Sequence, residues 1–481
     1  MTTTTPAPGG LTARATGALR WSFLNTVVSK LGTMAVGIAL ARMLGPAEFG
    51  TFAVATVALT AVLSFNELGV SLAIVRWSEE PGRIAPTVAS LSLAMSALMT
   101  GAMVLLAPWF CAVMGSPGST PVVRVMALSV LLSGLVATPA ALMQREFRQR
   151  ERVVVDQLGI WLGAACSLGL ALAGLGAMSL AVGRVVGAAA TAAGFARLCP
   201  EGFRLGLRRD LLPGLLGFGL PLAGTSILVF AVGYVDQVVA GSRLGATTLG
   251  FYVLAFNLSS WPVFIFSLPL RTVGPAVFAR LRGDVPATRT EFRRLLALLA
   301  SASLPVCALI AGAAEPLVRL VYGSAWLPAA LALQLLGLGA AARIFGELAY
   351  DYLVINGRSR SLLVVQAVWL AVLVPALLIG SHEGLRGVAG AQLAVMAVVL
   401  PIYVGLLRRH GLTLGDVVLP VALPGAVALL LLVATSALSA AISSPLVACL
   451  ACGGVATIGA LALLWRQRAS LTGLVDTRRT A

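Results

Sequence analysis

Charge is scarce in this chain. Charged residues are 11% of its 481 positions, apolar ones 59%, and the mean hydropathy is +0.96. That leaves too little polar surface to solvate a domain of this length and excludes a soluble enzyme or soluble binding module. Lysine is nearly missing: of 34 basic residues only Lys30 is a lysine. The two histidines, His382 and His410, fall at opposite membrane faces in the span assignment below, and no metal cluster or nucleophile–base pair can be assembled around them. The six cysteines, Cys111, Cys166, Cys199, Cys307, Cys449 and Cys452, lie in or beside apolar runs and not in an exported loop. Cys449 and Cys452 have CxxC spacing, but inside an apolar helix with no His or carboxylate nearby, so they read as small packing residues. No GxxxxGK[ST] occurs, which excludes an ATP site of that kind. No cofactor is expected, and no outer connection is long enough to fold as a catalytic domain.

What remains is apolar run after apolar run. They are long enough for helices and lack the ten-residue alternation of a barrel, so the fold class is an all-α polytopic membrane protein. The spans fall at about 19–41, 50–75, 85–112, 120–143, 153–175, 177–198, 212–235, 245–270, 292–315, 327–352, 360–380, 386–407, 416–441 and 444–466, fourteen in all. The first run follows Arg14 and Arg20, has no convincing cleavage site, and reads as a retained helix. With the N-terminus inside, the inner segments hold 26 of the basic residues and the outer loops 5. This bias supports an even number of spans with both termini cytoplasmic. It also explains the net charge of +16 without nucleic acid.

The chain repeats itself. Leu44-Gly-Pro-Ala-Glu-Phe-Gly-Thr-Phe-Ala-Val-Ala55 returns as Leu244-Gly-Ala-Thr-Thr-Leu-Gly-Phe-Tyr-Val-Leu-Ala255, so that Leu44, Gly45, Gly50 and Ala55 meet Leu244, Gly245, Gly250 and Ala255. In a second register, at a spacing of 208, Gly176, Arg184 and Val185 meet Gly384, Gln392 and Leu393. Six spans separate the copies, so both enter the membrane in the same direction. This predicts two six-helix lobes related by a parallel repeat, with a site between the halves. The expected divisions are a disordered tail at 1–10, an N-lobe at 11–205, a C-lobe at 206–412, two extra helices over 413–466 and a cytoplasmic tail at 467–481. Arg271 to Arg294 should carry a short amphipathic helix at the inner surface.

Polar residues inside spans are the candidate site. On the first span Ser22, Asn25, Thr26, Ser29, Lys30 and Thr33 share one arc, and a cation such as Lys30 near mid-span costs about 2.5–3.5 kcal/mol unless it finds an anion or water. Arg343, Glu347 and Asp351 follow one another at i+4 on the tenth span. They form either an internally paired stripe or part of a cavity wall. Glu67 and Asp236 are isolated carboxylates that could pair with Lys30, Arg184 or Arg343, or take a coupling proton or cation. Asn257 and Gln366 read first as interhelical hydrogen bonders, Gly159/Gly163 and Gly183/Gly187 as close helix packing. Arg271 sits at an inner end, where it could collect anionic headgroups.

Several of these segments resemble the polysaccharide transporter (Wzx-type) family of the multidrug/oligosaccharidyl-lipid/polysaccharide flippase superfamily. They are Arg42-Met-Leu-Gly-Pro-Ala-Glu-Phe-Gly50, Leu68-Gly-Val-Ser-Leu-Ala-Ile-Val-Arg76, Gln144-Arg-Glu-Phe-Arg148, and Asp236 followed by Leu244–Tyr252 and the Arg280–Arg294 linker. The resemblance implies two lobes around a cavity, alternating access, and flipping of an undecaprenyl-pyrophosphate-linked oligosaccharide across the bacterial inner membrane. It implies membrane lipids and a polysaccharide polymerase or assembly machinery as partners. Transport would be coupled to protons, Na+ or the membrane potential, with Lys30 as the cationic cavity residue. The second half has Phe230 where the first has Lys30, so a cationic site would be asymmetric. The competing expectations are a cation-coupled small-molecule (multidrug) exporter of the same superfamily, which should have an acidic, aromatic site, and a polymerase or ligase, which should have a large outer loop.

Overall fold

Glycine decides where the longest helices bend. In the computed structural model, α1 (Pro8–Asn66) and α6 (Leu212–Arg280) each run through two expected spans, and each breaks at one residue. Gly45 has φ 74°, ψ 176° and Gly245 has φ 82°, ψ 171°. Only glycine occupies that region without strain, so the two copies of the repeat share a backbone bend as well as a sequence. The second register agrees: Gly176 and Gly384 both have positive φ, at 53° and 69°, where the next helix begins.

The structure describes the backbone of residues 8–66, 71, 73–74, 80–281 and 284–468, and side chains from residue 32 onward except at 65–66, 218, 220–223, 225, 227–228, 268–273, 275–277, 279–280 and 359. The remaining helices are α2 (Pro81–Val113), α3 (Thr120–Arg145), α4 (Gln149–Leu172), α5 (Ala177–Leu198), α7 (Val285–Gly312), the short α8 (Ala314–Val321), α9 (Ala329–Ile355), α10 (Ser359–Gly380), α11 (Gly384–Arg409), α12 (Leu414–Ala441) and α13 (Pro445–Arg466). Among the described residues, eleven stretches are long and apolar enough to cross a membrane. Three of them, Gly32–Ser64, Val229–Ser267 and Arg360–Arg409, each cover two of the fourteen expected spans, because the joint is a glycine bend or a single 3-10 turn and not a loop. The protein is an all-α, multi-pass membrane protein.

Two compact units emerge, and their boundary differs from the expected 205/206. The first comprises residues 1–234 and 245–250, the second residues 235–244 and 251–481. The shift has a packing cause: Leu211 and Leu215, at the start of the seventh span, are buried with Ile74, Ile84, Met143 and Phe195 in the apolar core of the first unit. The first unit also includes the repeated turns. A Cβ on Gly250 would lie 2.8 Å from the Pro46 carbonyl oxygen and 3.1 Å from the Gly50 Cα, so only glycine permits this approach.

In the second unit, α12 and α13 are tied to α7. Thr435 sits where a Cβ on Gly312 would fall, and Gln467 donates to the Ser301 hydroxyl at 2.9 Å. Asp416 closes a capping box with Thr413 and receives Arg289 at 3.3 Å and Arg293 at 3.8 Å. These contacts fix the first turns of α7 to the start of α12.

Candidate functional site

A cavity of about 740 Å³ lies within the first unit, among α1 to α5. Its size is that of a small-molecule site. Its wall follows from spacing by four. Ser92 and Ser96 on α2, Ser129 and Ser133 on α3, Gly159, Gly163 and Ser167 on α4, and Gly183, Gly187 and Thr191 on α5 each recur at i+4, which puts them on one helix face. The glycines let α4 and α5 close on each other: a Cβ on Gly163 would stand 2.7 Å from the Gly183 carbonyl oxygen, and one on Gly187 2.8 Å from that of Gly159. Polar atoms therefore face inward while Leu158, Trp161 and Leu162 of α4 face outward.

Several wall hydroxyls are occupied by their own helix. Ser133 donates to the Ser129 carbonyl at 2.8 Å and Thr191 to that of Gly187 at 3.0 Å. Gln144 and Arg152 are joined at 3.0 Å, and Arg152 also approaches Asp156 at 3.8 Å. Arg184 differs. It lines the cavity, its side chain is exposed, and it makes no hydrogen bond or ion pair with a described residue. Among the described residues, no carboxylate lines the cavity and Phe52 is the one aromatic residue that does. A cation at this depth in a span is costly by about 2.5–3.5 kcal/mol unless an anion or water meets it, and the described wall supplies hydroxyls, the Gln144 amide and a second cation, Arg152, but no anion.

The helix carrying Arg184 is held from outside its own hairpin. The Glu48 carboxylate, in the first copy of the repeated turn, accepts from the Ala177 backbone N–H at 2.7 Å. It caps the start of α5, where a negative charge is favourable. Gly176 makes room for it, since a Cβ there would collide with that carboxylate. Arg184 lies two turns further on, about 10 Å along the axis.

The second unit treats its polar residues differently. Asp236 is buried, and both of its oxygens are engaged: Oδ1 accepts from the Gln237 N–H at 2.8 Å, Oδ2 from the Tyr252 hydroxyl at 2.7 Å and the Gln392 amide at 2.9 Å. Gln392 is the repeat partner of Arg184, so the same slot holds a lone cation in one half and a neutral hydrogen bonder in the other. Arg343 donates to the Ser260 hydroxyl at 3.2 Å and lies 4.9 Å from the Phe256 ring centroid. Glu347 and Asp351 follow it on α9, each with interactions of its own. Asn257 is exposed on α6, and the Gln366 Oε1 is buried without a partner among the described residues. The side chains of Asn25, Ser29, Lys30 and Arg271, and Glu67 altogether, lie outside the described residues. Of the sequence candidates, Arg184 alone is seen in this cavity. The hydroxyl ladders, with Gln144 and Arg152, went unread, although their i+4 spacing is visible in the chain.

No group of His, Cys, Asp and Glu among the described residues could hold a metal ion. Residues 39–331 match the family described as polysaccharide biosynthesis protein. The chain belongs to that family. It is similar to the lipopolysaccharide biosynthesis protein WzxC of Escherichia coli K12, with 23% identity over 79% of this chain and 77% of that protein. It is also similar to the succinoglycan biosynthesis transport protein ExoT of Rhizobium meliloti 1021, with 26% identity over 65% of this chain and 64% of ExoT. In fold it is similar to the lipid II flippase MurJ, with TM-score 0.72, 13% identity, and coverage of 94% of this chain and all of MurJ. A multidrug resistance MATE transporter of the MOP superfamily follows, with TM-score 0.62, 17% identity and coverage of 82% and 98%.

Proposed function

We propose that this polysaccharide biosynthesis protein is a flippase that carries an undecaprenyl-pyrophosphate-linked oligosaccharide across the bacterial inner membrane by alternating access, with both termini in the cytoplasm. The observation that carries the reading is Arg184, a cation with no counter-ion among the described residues in a hydroxyl-lined membrane cavity. A phosphate of the cargo would supply the missing anion. The serine and threonine wall suits sugar hydroxyls, and the polyprenyl tail can stay in lipid while the head crosses. The names of WzxC, ExoT and MurJ place relatives and fold neighbours in polysaccharide synthesis, transport and lipid-linked flipping, which supports the same reading. Lys30 is a second cation on the first span for the same anion. Polysaccharide polymerase or assembly proteins are its proposed partners, and a proton, Na+ or the membrane potential its proposed driving force. The exporter reading needs a site for organic cations, and none of the described residues that line the cavity is a carboxylate.

The test is depletion of the protein in its host, with mass spectrometry of undecaprenyl-linked glycans and a measure of their accessibility from outside. A complete repeat unit should accumulate shielded on the inner face. Arg184→Gln should reproduce that accumulation at normal protein level, with export reduced at least tenfold. If depletion leaves the glycans unchanged and alters tolerance to small toxic compounds instead, the chain is an exporter.

A further inference from the structure

Five helices end in the same hydrogen-bonded motif, in which the second residue past the cap bonds back five residues and the first bonds back three. They are α2, α3, α4, α9 and α11. The motif requires positive φ at its pivot, a position that suits glycine. Four of the five pivots are Gly115, Gly174, Gly357 and Gly411, with φ between 63° and 97°. At the end of α3 the pivot is Phe147, with φ 57°, the one non-glycine residue at positive φ among those described. Its bonds match the others: Phe147 N–H to the Gln144 carbonyl at 3.2 Å, Arg148 N–H to that of Met143 at 2.9 Å. The matching joint in the second half, between α9 and α10, uses Gly357.

A left-handed phenylalanine is strained, and packing does little to compensate, because the residue is 71% exposed. The ring lies two residues past the end of α3 and two before the start of α4, at the edge where the apolar stretches of both helices end. The sequence places that edge on the inner side. The next inner connection also presents bare apolar side chains, Leu205 at 61% and Leu207 at 62% exposed. That connection is held against α2 by the Gly206 N–H on the Ser90 hydroxyl at 3.0 Å and the Arg208 N–H on the Thr87 hydroxyl at 3.2 Å. Arginines flank both segments in the chain, Arg145, Arg148 and Arg150 beside Phe147 and Arg204, Arg208 and Arg209 beside the leucines, with Arg145 turned to the Ile74 carbonyl at 2.6 Å. Glu146 and Glu151 offset part of the first group by pairing with Arg148.

We propose that Phe147, with Leu205 and Leu207, forms an interfacial surface on the first unit that inserts into the anionic headgroup layer of the inner leaflet. One ring and two leucines are far too small for a stable protein partner, which needs on the order of 1,000 Å². They suit the boundary between headgroups and acyl chains, where an apolar tip among arginines is favoured. Phe147 and Arg148 connect α3 to α4, whose residues Gln144 and Arg152 line the cavity. The surface would therefore set the depth of that cavity's lower rim.

The experiment places p-cyanophenylalanine at position 147 of the full chain, which keeps the ring, and reads the nitrile stretch by infrared spectroscopy in nanodiscs of phosphatidylglycerol and phosphatidylethanolamine. The expected result is the frequency of a nitrile in hydrocarbon, with a smaller shift from the water value in purely zwitterionic nanodiscs. The water frequency in the anionic nanodiscs overturns the proposal. So does a hydrocarbon frequency seen only in native membranes, which would mean a protein partner. Phe147→Gly provides an independent check. In detergent it should melt at a higher temperature than the wild type, since the strain is gone and no internal packing is lost. A lower melting temperature would mean that the ring packs on its own chain.

Discussion

Cys199 shows how a single residue reports on the fold around it. It follows the last residue of α5, is fully buried, and its thiol touches the Glu201 carboxylate at 3.3 Å. Burial first, and that carboxylate second, push the thiol up to about 11. The thiolate is the reactive form, so at pH 7.5 the folded protein should leave Cys199 unmodified by maleimide over hours. Labelling should rise only as the pH approaches 11 or after denaturation, as peptide mass spectrometry would show. Modification at neutral pH would mean an open, solvated inner end of α5. The shift also has a stability consequence. A folded-state thiol raised above its unfolded value stays neutral, so its contribution holds below the unfolded value and is lost as pH climbs through 11. At this scale the sequence was informative only where chemistry is costly. Arg184 was legible because a guanidinium inside a span demands an explanation. Ser133 and Thr191 were not, because a hydroxyl on a membrane helix can satisfy itself on the preceding turn, as both do.

At the scale of elements, one carboxylate links the repeated turn to α5. Glu48→Ala removes the cap from Ala177, an effect of about 1 kcal/mol for an N-terminal cap, and releases the end of the helix that carries Arg184. Glu48→Gln keeps an acceptor oxygen in reach. The expected order for glycan export is wild type, then Glu48→Gln close behind, then Glu48→Ala several-fold lower, at equal protein levels. Equal export by all three would confine Glu48 to local stability. Helix bends were legible in the sequence for a physical reason: Gly45 and Gly245 occupy a conformation closed to other residues, so the repeat had to keep them. Span ends were less legible. Where a bend or a single 3-10 turn joins two spans, hydropathy does not fall between them, and Arg360–Arg409 reads as one apolar stretch.

For the whole molecule, the charge bias makes a definite claim about orientation. Reporter fusions after Arg209 and after Arg409 should both give cytoplasmic signals, as expected if an even number of spans precedes each. An outside signal at either would break the fourteen-span assignment, and outside signals at both would invert the inner and outer loops, including the side on which Phe147 lies. The fold class and the repeat could be read from glycines and charge, but the boundary between units could not. Leu211 and Leu215 look like any other leucines at the start of a span, and only packing assigns them to the core around Ile74 and Phe195.

That boundary also bears on how the protein can be taken apart. Within seventeen residues the chain passes from the first unit to the second at 234/235, back at 244/245, and over again at 250/251. A cleavage between 244 and 245 would leave the amino-terminal fragment carrying ten residues that belong with the other piece, and the carboxy-terminal fragment beginning with six that belong with the first. The second copy of the repeated turn is thus built into the first unit, and a cut at 244/245 would part it from the residues it packs with, Pro46 and Gly50.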